Sequence, residues 1–308
     1  MITRDSSLAF FVNQLDAFDT KIHEPLAAVT WSRDVKLRSG ISLGNQSTSF
    51  VRGNFAHAGQ QSAQGAHFIG SAKNTSLTAV GVDGTQVVLP MQQWGAEIRY
   101  NSIELERSQL IGQNLDDMKT RALQLSYNLD VDRMVYVGGA GQGGLINSTD
   151  VTVASALGAT WSAGTADTIL QNVNDLIKAA WAASAYAVCP NVLLLPPAQY
   201  ALIVAKKAGT DGAGGSVLNF LQNNSISLQV NGVPLDIRPC KHLTGAGDSG
   251  KDRMVAYNDS ELYVRYPLAP IVRQTPYYQG ITFAAPYVAA LGAVEFVYPE
   301  TAIYQDGL

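Results

Sequence analysis

The 308-residue sequence predicts an α+β fold that carries an extended arm. Three observations lead there. Charged residues make up only 15% of the chain, against a typical ~25%. A long polar stretch interrupts the helical pattern between Leu26 and about Gly95. After it come one long helix with a single apolar stripe and a compact α/β region. Hydrophobic residues are an ordinary 46%, so Ser, Thr, Asn, Gln, Gly and Ala have replaced the missing charge. Surfaces buried against neighbours are depleted in Lys, Glu and Asp at their centres, so the composition predicts extensive assembly.

Each element follows from its pattern. Leu8, Phe11, Val12, Leu15, Phe18 and Ile22 recur at helical spacing and predict a short helix that ends before Pro25. The following stretch is rich in Gly, Ser, Ala, Gln and Asn, and between Val51 and Met91 its charges are Arg52, Lys73 and Asp83. Its strand-like ends, Phe50 to Phe55 and Thr85 to Leu89, predict a two-stranded arm, which is marginal in water unless it lies on another subunit. GAEIRYNSIELE reads as a strand leading into a helix. Asn114 caps that helix, Asp116 and Asp117 suit its positive end, and Leu115, Met118, Ala122, Leu125 and Leu129 form its stripe. It runs to about Tyr136, where glycines from Gly138 stop it.

The α/β region is read in the same way. The pattern predicts a helix over Thr168 to Trp181 with Ile169, Val173, Leu176, Ile177 and Ala180 inward. VLLL at Val192 to Leu195 reads as a buried strand, Pro197 opens a helix through Ala205, and Val217 to Gln222 a short one. Strands are expected at Leu235 to Arg238, Val255 to Tyr257 and Leu262 to Tyr266, and a final extended segment runs from Tyr287 to Tyr304.

The chemistry-bearing patterns point away from catalysis. Net charge is −4 and the pI near 5.5, so no basic footprint for tight DNA binding exists. Cys189 and Cys240 form no C-x-x-C pair and read as buried thiols. The four histidines show no metal-ligand spacing, Cys240 and His242 lack a third group to orient a base, and Asp130 and Asp132 read as a solvated helix face. No signal peptide or membrane span is visible. Gly139, Gly141 and Gly144 have the G-x-G-x-x-G spacing of a dinucleotide site, but a helix precedes them and no helix follows. Gly245, Gly250 and Lys251 satisfy G-x-x-x-x-G-K, yet Asp252 stands where Ser or Thr should ligate magnesium. Ser249, within GDSG, reads as a loop serine. No catalytic, cofactor or metal residue is expected.

The order of parts, with IELERSQLIGQNLDDMKTRAL, GGLINSTDVT and the terminal GAVEFVYPETAIY, resembles the Hong Kong 97-like capsid fold of tailed-bacteriophage major capsid proteins and encapsulin shells. The resemblance implies an N-terminal arm at 1–48, an extended loop at 49–95, a peripheral domain at 96–162 with a spine helix at about 107–137, an axial domain at 163–280, and a returning strand of the peripheral domain at 281–308. It implies a shell protein that assembles with itself in pentamers and hexamers around double-stranded DNA, held non-specifically. The protein would be made in the host cytoplasm and reside in the virion, without contact to a membrane. Scaffolding, portal or decoration proteins are the further partners it admits. Arg52, Lys73, Asp83, Leu115, Met118 and Leu125 are the expected assembly contacts. Lys73 is the loop's lysine where certain relatives form cross-links. The alternatives are an encapsulin-type compartment, another virion component and, from a different class, a nucleotide-binding enzyme.

Overall fold

The computed structural model describes residues 25–58, 79–101, 103, 104, 106, 115–139, 141–209 and 215–308, with backbone alone at 54–58 and 79–83. The expected N-terminal helix, Lys73, His23, His67 and the Asn114 cap lie outside the described residues. In chain order the elements are α1 (Trp31–Asp34), β1 (Lys36–Arg38), β2 (Ser47–Ala58), β3 (Ala79–Pro90), β4 (Gln92–Asn101), α2 (Leu115–Tyr136), β5 (Gly138–Gly139), β6 (Gln142–Gly143) and β7 (Thr152–Ala154). They continue with α3 (Ala166–Ala183), β8 (Val192–Leu195), α4 (Pro197–Ala205), α5 (Val217–Asn224), α6 (Ile226–Asn231), β9 (Asp236–Pro239), β10 (Arg253–Tyr257), β11 (Val264–Arg273), β12 (Tyr277–Gln279), β13 (Thr282–Leu291), β14 (Glu295–Phe296) and β15 (Ile303–Asp306).

A five-stranded sheet in the order β7-β15-β10-β8-β9 separates two hydrophobic cores. Successive side chains of a strand point to opposite faces. Leu193, Leu195, Met254 and Ala256 accordingly join the core under α3, α4 and α5. Val192, Leu194, Val255 and Tyr257 join the other, with the end of α2 and the second sheet. Burial on both faces explains why β8 is apolar at every position. Helix α3 buries Ile169, Val173, Leu176, Ile177 and Ala180, the residues its periodicity selected. It is capped by Thr165, whose side chain accepts from the Thr168 N–H at 3.3 Å. Helix α5 runs on to Asn224, and α6, which the sequence pattern did not reveal, starts at once from the cap Ser225.

The second sheet has the order β1-β11-β13-β12, with β4 on the other side of β13 and β14 on β11. Strands β4 and β13 pair along their whole length, from Gln92↔Leu291 to Asn101↔Thr282. The expected single segment from Tyr287 to Tyr304 is instead broken: β13 and β14 belong to this sheet, whereas β15 lies between β7 and β10 in the five-stranded one. Gly292, Pro299 and a 3₁₀ turn at Pro299–Thr301 interrupt it. Strands β11 and β12 also pair in the six-stranded sheet, although they lie within residues 163–280.

Helix α2 corrects the sequence reading. Its buried residues are Leu123, Tyr127, Val131, Asp132, Val135 and Tyr136, with none before Leu123. Leu115, Met118, Leu125 and Leu129 are half-buried and Ala122 is exposed. The leucine and methionine spacing marked a second apolar stripe, while tyrosines and valines form the core-facing one. Asp132, expected on a solvated face, is fully buried.

Candidate assembly surface

Strands β2 and β3 form a separate two-stranded antiparallel ribbon, in register from Ser47↔Pro90 to Ala58↔Ala79. Twelve residues per strand give it a reach of roughly 40 Å. One face turns toward the body: Thr48 is buried, and Phe50, Arg52, Val87 and Leu89 are half-buried. The other face carries Ser49, Val51, Gln86 and Val88 into solvent, with Val51 64% and Val88 55% exposed.

The root of this ribbon is fastened by arginines. Arg52 donates to the Phe296 carbonyl at 2.7 Å, to the Val297 carbonyl at 3.3 Å and to Asp150 at 3.0 Å. Its guanidinium also lies 5.4 Å from the centre of the Phe50 ring. Arg38 donates to the Ser49 carbonyl and, at 2.6 Å, to Glu295. Glu295 is fully buried and takes Arg265 on its other oxygen at 2.7 Å. A buried carboxylate survives only with such partners. The ribbon is therefore held at one end and along one face.

A strap over residues 28–38 ties the two sheets together. Asp132 accepts from the Thr30 and Trp31 N–H groups at 2.9 and 3.1 Å and faces His242 at 2.8 Å and Lys241 at 3.1 Å. Burial alone would raise the Asp132 carboxyl. Hydrogen bonds from His242, Thr30 and Lys241 outweigh it and bring the pKa down to about 2. Asp34, also fully buried, accepts from Tyr136, Arg33 and Arg238, while its carbonyl takes the Tyr257 hydroxyl at 2.6 Å. Burial, then the Asp34 charge, pushes the Tyr136 hydroxyl well up. Neither aspartate carried a sequence motif. The spacing of Asp132 four residues before Tyr136 on a helix is the signal that could have shown it facing inward.

The glycine motifs resolve as packing. Gly138 has φ +81°, and a Cβ there would meet the Gln142 carbonyl at 2.2 Å. A Cβ on Gly144 would meet the Tyr136 carbonyl at 2.3 Å. The chain thus doubles back against the end of α2, where Asn147 accepts from Gly144 N–H and donates to the Val137 carbonyl. Leu145 and Ile146 are buried. In the second motif, Asp252 accepts from the Gly245 N–H at 2.9 Å and from Gln199 at 2.7 Å, so a carboxylate of the chain itself occupies the position a phosphate would need. The neighbouring Asp248 N–H donates to Asp306, whose carboxylate is gripped by Arg253 at 2.6 and 2.9 Å. This turn locks β15 in place.

Cys189 and Cys240 are free and buried, and burial pushes their thiols up to about 11 and about 12. His242 sits in a 3₁₀ turn at Lys241–Leu243 and not on a strand with Cys240. Among the described residues no group of three His, Cys, Asp or Glu is placed to hold a metal, and no helix is long and apolar enough to cross a membrane.

Of the residues expected at assembly contacts, Arg52 binds its own chain as described. Asp83 pairs with Asn54 in the ribbon register, while Lys73 lies outside the described residues. Leu115, Met118 and Leu125 stand half-buried on the second stripe of α2. The structure does not gather these residues at one place.

A family model described as major capsid protein matches residues 65–308. The chain belongs to the major capsid protein family. It is a structural protein, the shell protein of phage heads. Its fold is shared with a subunit of the capsid of Myoviridae phage XM1, at 17% identity and TM-score 0.79 over 96% of this chain and 98% of that one. The capsid of an empty GTA particle matches at 11% identity and TM-score 0.60 over 99% of both chains. A virus-like particle from Pyrococcus furiosus matches at 14% and 0.55, over 98% of this chain and 97% of that one. No curated protein matches in sequence. The Hong Kong 97-like expectation holds for this capsid protein, and the family match does not favour the encapsulin alternative.

Proposed function

We propose that this capsid protein closes into an icosahedral shell of pentamers and hexamers in which the β2–β3 ribbon lies on a neighbouring copy, and that the shell encloses double-stranded DNA through sequence-independent contacts. The observation that carries the reading is the asymmetry of the ribbon: its root and inner face are bound to its own subunit, while Val51 and Val88 stay open on the outer face. An isolated two-stranded ribbon is marginal in water, and cover from an identical subunit removes that cost. The half-buried stripe of Leu115, Met118 and Leu125 is a second contact, and Lys73 and Asp83 are further contact residues in this reading. Residues around α2 and the six-stranded sheet form the peripheral domain, and the five-stranded sheet with α3 to α6 the axial one. No step of this function is catalytic, and assembly takes place in the host cytoplasm with scaffolding, portal or decoration proteins as helpers.

The test is expression of the full chain, alone and with head-assembly proteins, followed by electron microscopy and nuclease treatment. Closed particles of uniform size that protect DNA are expected. Monomers under every condition, or micromolar ATP binding lost in Lys251→Ala, would contradict the reading.

A further inference from the structure

Helix α3 ends on two residues that resist the conformation imposed on them. The Tyr186 N–H donates to the Trp181 carbonyl at 2.8 Å and the Ala185 N–H to the Ala182 carbonyl at 3.0 Å, a closure that places residues in the left-handed region. Glycine normally fills such a position. Here Ala185 has φ 52° and Tyr186 φ 63°, and among the described residues Ser249 is the one further non-glycine with positive φ. A bulky side chain there is disfavoured and persists only where its surroundings hold it.

The surroundings are explicit. Trp181 donates its indole N–H to the Tyr186 carbonyl at 3.0 Å, and the two rings meet edge to face at 5.1 Å. Ser184 bridges the Trp181 and Val188 carbonyls. Asn231 and Asn258 both donate to the Cys189 carbonyl, and Asn191 and Asp259 exchange two hydrogen bonds. Three loops are thereby fixed side by side at one end of the five-stranded sheet. On and beside them Tyr186 is 63% exposed, Val230 in the last turn of α6 43% and Val233 55%. Glycine would close the loop with less strain, and the Trp181 contact holds the tyrosine in place while leaving most of it in solvent.

Charge narrows what can cover it. No Asp, Glu, Lys, Arg or His occurs between Lys178 and Lys206, or between Asp211 and Asp236. The bordering carboxylates Asp236 and Asp259 are paired with Arg238. A phosphate backbone finds no cation on these uncharged stretches, and Glu261 is the exposed carboxylate on the third loop. An identical uncharged surface is compatible, and rigid tyrosines flanked by apolar residues are what contact centres use.

We propose that Tyr186, with Val230 and Val233, is a preorganised contact surface for a second copy of this chain, with Tyr186 as its anchor. This rests on the shell reading above. The direct test is hydroxyl-radical footprinting of the full chain as dilute subunits and as shells, read by mass spectrometry. Labelling of Tyr186 should fall about tenfold on assembly. Tyr186→Asn keeps a residue that tolerates positive φ and should fold as the parent by circular dichroism. The concentration at which it forms shells should rise about tenfold, and Val233→Asp should act in the same direction. Equal labelling in subunits and shells, or parental assembly by both variants, overturns the proposal even though shells form. Failure of the parent chain to form shells under any condition overturns the shell reading and this surface together.

Discussion

The five-stranded α/β layer and the β2–β3 ribbon solve the same problem, hiding apolar surface from water, in opposite ways. In the layer, the central strands β15, β10 and β8 find partners for both faces within the chain, and α3 buries its whole stripe. In the ribbon, the inner face is bound through Arg52 and Arg38 while Val51 and Val88 stand in solvent. The difference separates what one subunit stabilises by itself from what is left for a neighbour. Substitutions should therefore divide into those that unfold the subunit and those that leave it folded but unable to assemble.

The largest loss of subunit stability is expected at the lock on β15. Arg253→Ala leaves Asp306 buried without its bidentate partner, and should cost about 3–5 kcal/mol in a urea titration of dilute subunits. Next comes the core of the layer. Leu176→Ala should lower stability by about 3 kcal/mol through lost burial and the cavity left behind. If it instead mainly impaired assembly, the layer would not be the self-sufficient part.

A smaller and pH-dependent loss is expected at the strap. The folded Asp132 carboxyl titrates near 2, below its ordinary 3.8. A lowered value means that its stabilisation is present above pH 4 and is lost as pH falls from about 4 through about 2. The shift corresponds to about 2 kcal/mol. Asp132→Asn should show a loss of that order at pH 7 and a flatter decline between pH 4 and pH 2. An unchanged acid profile would remove Asp132 from the account.

The same contrast explains what the sequence revealed. Elements whose partners lie in a regular pattern nearby were legible: α3, β8 and α4 stand where periodicity and proline put them, because local spacing and final burial agree. Both strands of the ribbon were legible from their β-branched and aromatic ends. Where burial is decided by distant chain, local spacing misled. In α2 the regular Leu and Met series proved half-exposed, and Tyr127, Val131 and Val135 face a core assembled from β11, β13 and the turn after Gly144. The break between β14 and β15 was hidden because extended residues look alike whichever sheet receives them. The partners of Arg52 on its own chain are the Asp150 carboxylate and two backbone carbonyls more than two hundred residues away, which no motif announces.

The central claim is that the outer face of the ribbon is covered by another copy in the shell. Cys189 and Cys240 are buried, so in Val88→Cys the rate of thiol modification reports on position 88. Dilute subunits should react at the rate of an exposed thiol, and assembled shells at least about tenfold more slowly. Equal rates in subunits and shells would contradict the account.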